Sequence, residues 1–100
     1  MNNTENLFIV ASEECAEIQQ CISKILRFGA DDCHPDRPES TNEIELLTEY
    51  YQLQAVMEML MENGILKTLS AEEIEAIKAS KKAKVQKYAE YSRKAGLLKD

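Results

Sequence analysis

Glu14 and Glu17 lie three residues apart within Leu7-Phe8-Ile9-Val10-Ala11-Ser12-Glu13-Glu14-Cys15-Ala16-Glu17-Ile18, an otherwise greasy stretch. On a helix, residues three apart are neighbours on one face, so the two carboxylates point the same way. A second acidic ladder, Glu45 and Glu49 with Gln52, falls in the next segment of helical pattern. Two helices that each present acids beside an apolar stripe can build a Mg²⁺ cage between them, because hard cations take oxygen ligands. Surface glutamates are usually just solvated. These four instead flank the apolar stripes, where clustered acids repel one another unless a cation neutralises them. Lys24, Arg27 and Arg37 are the only bases in the first sixty residues.

The elements that must position these groups are helical. The first pattern runs from about Thr4, a suitable N-cap with Glu5 behind it, to Phe28, and stops at Gly29. Leu7, Ala11, Cys15, Ile18, Ile22 and Ile25 recur at helical spacing as its buried stripe, with Glu14 and Glu17 at one margin. Residues 30–41 carry both prolines and form a connecting loop, long for a compact domain. The second helix spans 42–63, with Leu46, Tyr50, Leu53, Met57 and Leu60 as its apolar face and Glu45, Glu49, Gln52 and Val56 as the adjacent row. Ser70-Ala71-Glu72-Glu73 is a capping box that opens a C-terminal helix over 71–95, or two helices if the polar middle, Ala79 to Lys84, breaks it. No segment alternates as a strand does. The expected fold is all-α, in one domain of 100 residues.

A formal net charge of −6 argues against DNA or RNA as partners, since their affinity rests on cationic contacts to phosphates. The charge is nevertheless lopsided. Residues 78–100 hold eight of the twelve Lys and Arg, which allows the basic end to meet an acidic surface or phosphates. Within it, Lys84, Lys87, Tyr88 and Tyr91 have a spacing that can stack a base while lysines hold phosphates, although packing is the commoner use of such tyrosines. Cys15, Cys21 and Cys33 form no CxxC pair and read as reduced, mostly buried thiols of a cytoplasmic protein. The start has no basic region, and the apolar run from Leu7 to Ala11 is too short for a signal peptide or a membrane span. His34, the sole histidine, is expected to make local hydrogen bonds in its loop.

Ser12-Glu13-Glu14-Cys15-Ala16-Glu17-Ile18-Gln19-Gln20, followed by Ser23-Lys24-Ile25-Leu26-Arg27-Phe28-Gly29, resembles the first motif of the MazG-like nucleotide pyrophosphohydrolases. It is most like the short stand-alone members common in phage genomes. That family is an all-α group with ExxE on one helix and ExxD on the next. Glu14-Cys15-Ala16-Glu17 matches ExxE, and Glu49-Tyr50-Tyr51-Gln52 lies where ExxD belongs. The resemblance covers roughly residues 7–62, and more weakly the stretch from Lys84 to Tyr91. It implies Mg²⁺-dependent (or Mn²⁺-dependent) hydrolysis of nucleoside triphosphates to monophosphate and pyrophosphate by metal-activated water. Glu14, Glu17 and Glu49 would be the ligands, with Glu13 an outer-sphere acid or alternative ligand. Lys24 and Arg27 would meet the phosphate charge, and Gln52, Lys84 and Tyr88 would join them around the substrate.

Gln52 departs from the pattern: a neutral amide is a poorer ligand than aspartate and removes one negative charge. Either Glu45 and water complete a working site, or metal binding weakens and the protein binds nucleotides without efficient cleavage. For a phage-type protein in host cytoplasm, such a sponge would sequester signalling nucleotides. The family forms dimers or tetramers, and a Met-rich second helix leaves more apolar surface than a short chain covers. Helical hairpins assembling into a four-helix-bundle homo-oligomer are therefore expected. A plain helical interaction module, indifferent to Mg²⁺, is the third reading.

Overall fold

A computed structural model describes residues 1–99 of the chain. Its helices are α1 (Asn3–Phe28), α2 (Asn42–Glu62) and α3 (Ala71–Lys94). The described residues contain no β-sheet, only an isolated bridge between Cys33 and Thr41. The fold is all-α. The chain divides into two compact units, Met1–Lys67 and Thr68–Asp100.

The first unit is a helical hairpin of α1 against α2. The N-cap of α1 is Asn2, two residues before Thr4. Its side-chain oxygen accepts from the Glu5 N–H at 2.8 Å, satisfying a donor that the helix itself leaves free. The helix ends at Gly29, whose φ of 94° suits a residue without Cβ and whose N–H donates to Ile25 at 2.8 Å.

The buried seam of α1 differs from the expected stripe. Thr4, Leu7, Val10, Ala11, Glu14, Ile18, Cys21 and Ile25 are buried or half-buried, whereas Cys15 and Ile22 are exposed. From Leu7 onward the main run (7, 11, 14, 18, 21, 25) alternates four and three, the spacing that keeps one helix facing another along its length. Helix α2 repeats it. Asn42, Leu46, Glu49, Leu53, Val56 and Leu60 line its inner face, with Leu60 fully buried, while Tyr50 is 46% exposed. Glu14 and Glu49 therefore stand in the seam itself, not at its margin. One layer of the seam pairs two half-buried acids.

The 30–41 loop is pinned where it meets the hairpin. The buried Asn42 donates from Nδ2 to the Gly29 carbonyl at 2.9 Å. The Asn42 and Glu43 N–H groups donate to Asp32 and Ala30 at 2.9 and 3.0 Å. Thr41 caps α2 through the Ile44 N–H at 3.2 Å. These bonds hold the end of α1 beside the start of α2, so the helices run antiparallel.

The second unit is α3, continuous through its polar middle and closed at its start by the Ser70–Glu73 capping box. Within its described residues no side chain is buried.

Candidate functional site

The antiparallel hairpin sets the middle of α1 opposite the first turns of α2. There one carboxylate oxygen from each of Glu14, Glu17 and Glu49 lies within 4.8 Å of the others. Glu14 and Glu49 come from facing seam positions and are half-buried; Glu17, one turn beyond Glu14, is exposed. Oxygens bound to one Mg²⁺ sit at most ~4.2 Å apart, twice the usual ligand distance. Small side-chain shifts thus suffice to close the three around an ion. The donor set is all hard oxygen, which suits Mg²⁺ or Mn²⁺ and not a thiophilic metal.

Three carboxylates this close cannot all ionise freely. The Glu49 carboxyl is pushed up to about 8, first by its hydrogen bonds with Glu14 and Glu17, then by desolvation and by the charge of those two neighbours. Glu49 therefore holds its proton more tightly than an ordinary carboxylate does. Gln52 adds a second device. With its amide nitrogen turned toward the acids, it donates to Glu49 Oε2 at 3.0 Å and to Glu14 Oε2 at 3.2 Å. A neutral donor thus ties both helices together at the layer where their acids meet.

Glu45 does not join this group. Its carboxylate lies 3.7 Å from Lys24 Nζ and 3.8 Å from Arg37 Nη2, with the Ser40 hydroxyl donating at 3.5 Å. Glu45 is drawn to the loop end of the hairpin by two cations, so the negative charge absent at Gln52 is not restored by its side chain. Glu13 is exposed and outside the group of three. Lys24 faces the site, but Arg27 turns away, its guanidinium 4.8 Å from the centre of the Phe28 ring. Lys84 and Tyr88 belong to the second unit and are exposed on α3. The cluster is built from α1 and α2 alone.

Sequence reasoning passed over Arg37. It sits in the proline-flanked loop, far along the chain from the acids, and its only signal was scarcity: one of three bases in sixty residues. His34 makes the expected local bond, its Nδ1 accepting from the Asp36 N–H at 3.1 Å. The three thiols are free, but only Cys21 is buried; Cys15 is exposed and Cys33 intermediate. Burial pushes the Cys21 thiol up, with the nearby Glu45 and Glu49 charges adding to it. Among the described residues no helix is long and apolar enough to cross a membrane. Comparison with protein-family models, curated proteins and solved structures finds no match to this chain.

Proposed function

We propose that the chain is a Mg²⁺-dependent nucleoside triphosphate pyrophosphohydrolase of the MazG-like type. The observation that carries this reading is the convergence of Glu14 and Glu17 from α1 with Glu49 from α2, to oxygens within 4.8 Å. A bound Mg²⁺ would polarise the triphosphate and lower the pKa of a water for attack, releasing monophosphate and pyrophosphate. The residues' own part is to present oxygens from both helices, to release the Glu49 proton, and to leave Lys24 on the same face for phosphate charge. Seam placement helps: side chains held in a packed layer keep their geometry better than loop residues do.

Self-association belongs to the same reading. Helix α2 carries a second apolar row, Ile44, Leu47 and Tyr51, which are 49%, 45% and 58% exposed. An apolar row left open on a hairpin's outer face favours a second hairpin packed against it as a four-helix bundle. Light scattering of the eluted protein reads the subunit number directly.

A second reading, nucleotide binding without efficient turnover, is favoured by Gln52, whose amide occupies two of the carboxylates that a metal would need. One experiment separates the two. The protein is incubated with canonical NTPs and dNTPs plus Mg²⁺, and the products are resolved by chromatography beside Glu14→Gln. Monophosphate and pyrophosphate that vanish in the variant establish the hydrolase. Intact nucleotides with measurable binding establish the sponge, and neither result leaves the interaction module.

A further inference from the structure

We propose that Lys24 and Arg37 form a phosphate-gripping subsite at the loop end of the hairpin, with Glu45 as an internal counter-ion that an incoming pyrophosphate group displaces. The ligand's identity rests on the nucleotide reading above. The subsite itself rests on four observations.

Two cations share one carboxylate. Lys24 Nζ and Arg37 Nη2 both approach Glu45, at 3.7 and 3.8 Å, so the trio keeps a net positive charge. Those separations exceed the ~2.7–2.9 Å of a formed charge-assisted hydrogen bond, so little bonding is lost when Glu45 is replaced by a better acceptor. Secondly, the trio lines an open depression of about 370 Å³ that continues to Glu17 and Glu49. A phosphate chain lying in it would have its charge met at one end by the cations, and by a carboxylate-bound ion at the other.

Thirdly, Arg37 is held in place before any ligand arrives. Its N–H donates to His34 at 2.9 Å and its carbonyl accepts from Ser40 at 3.0 Å, within a loop already tied down through Asn42. A guanidinium on a fixed loop loses less freedom on gripping phosphate than one on a mobile loop. Finally, the same trio also walls a separate cleft of about 240 Å³ beneath the loop, beside Phe28 and Pro35. That volume is below the ~300–1,000 Å³ of a complete small-ligand pocket, as expected of a subsite that takes part of a larger molecule.

This assignment reverses the effect expected of Glu45. If it were a metal ligand, its removal would weaken phosphate binding. As a counter-ion competing with phosphate, its removal strengthens it.

The test is a titration of the full chain with inorganic pyrophosphate in chelator, followed by NMR at the Lys24, Arg37 and Ser40 amides. Wild type should bind with shifts centred on those residues. Glu45→Gln should bind about two- to fivefold more tightly, the scale of a weak exposed ion pair released. Arg37→Ala should bind about tenfold more weakly. Lys24→Ala serves as the second loss variant if the loop substitution disturbs folding, which an unchanged melting profile excludes.

Absence of wild-type binding, or weaker or unchanged binding by Glu45→Gln, overturns the proposal. Because no metal or turnover enters, a chain that passes here yet hydrolyses no nucleotide fails only the catalytic reading. A parallel titration with a non-hydrolysable nucleoside triphosphate tells whether the subsite serves a nucleotide tail, bound more tightly, or free pyrophosphate, bound equally.

Discussion

Gln52 and Glu49 stand one turn apart on α2, and the Gln52 amide nitrogen donates to Glu49 Oε2 at 3.0 Å while reaching Glu14 on α1 at 3.2 Å. The amide supplies from within the protein part of the neutralisation that a cation would bring. Gln52→Asp should therefore act in opposite directions with and without metal. In chelator the added carboxylate and lost donor should cost about 1–3 kcal/mol, and thus lower Tm by several degrees. In Mg²⁺ the variant should gain more stabilisation than wild type. Thermal melts in both buffers check this, and an unchanged Tm in chelator would remove Gln52 from the argument.

The raised Glu49 carboxyl sets a pH dependence whose sign is fixed. In the unfolded chain Glu49 ionises near 4.5; in the hairpin it holds its proton to about 8. Between those values the folded state binds more protons than the unfolded state, so stability falls as pH rises. The contribution is complete below pH 4.5 and lost as pH passes 8. Metal-free Tm measured from pH 5 to 9 should decline more steeply in wild type than in Glu49→Gln, which cannot ionise there. Parallel profiles would mean that Glu49 does not hold a shared proton.

Glu14 and Glu49 occupy seam positions that a hairpin built for stability alone would give to leucine. Glu14→Leu combined with Glu49→Leu should stabilise the metal-free chain by about 1–3 kcal/mol, removing two polar groups from a packed layer. On the hydrolase reading, nucleotide hydrolysis should disappear as well. Urea unfolding and the chromatographic assay read the two effects separately. A destabilised double variant would show that the acids already contribute net stability.

Asn42 is the pin between loop and hairpin, buried to 7% exposure with its Nδ2 on the Gly29 carbonyl. Asn42→Ala should cost about 1–3 kcal/mol through the lost bond and the carbonyl left without it. Amide exchange should speed up across residues 30–41 before it does in α1. A loss below about 0.5 kcal/mol, the scale of an ordinary surface change, would show that the backbone bonds at Asp32 and Ala30 hold the loop unaided.

The helices and most of their ends were legible in the sequence because each end has a local cause: Gly29, Thr41 and the Ser70–Glu73 box all act within one turn. At the start of α1 two capping side chains, Asn2 and Thr4, lie close together, and local pattern does not say that Asn2 is the one that caps. Continuity of α3 was left open because polar composition alone does not break a helix without Gly or Pro. The site was half legible. The Glu14–Glu17 pair follows from spacing, but their entry into the seam depends on which α2 layer faces them, a long-range fact. The pairing of Glu45 is likewise not legible, since its partner Arg37 comes from a loop whose path no periodicity encodes.

A zipper with an acidic tooth in its middle cannot mesh fully on its own. From Leu7 to Ile25 and from Asn42 to Leu60 the hairpin is closed by the same alternating rhythm, interrupted at one rung where repulsion is relieved only by a borrowed proton and one amide. A cation bound at that rung would complete the fastening. On the proposed reading, loading and stiffening of the hairpin would then be a single event, and readiness of the site would be followed as stiffness as well as chemistry.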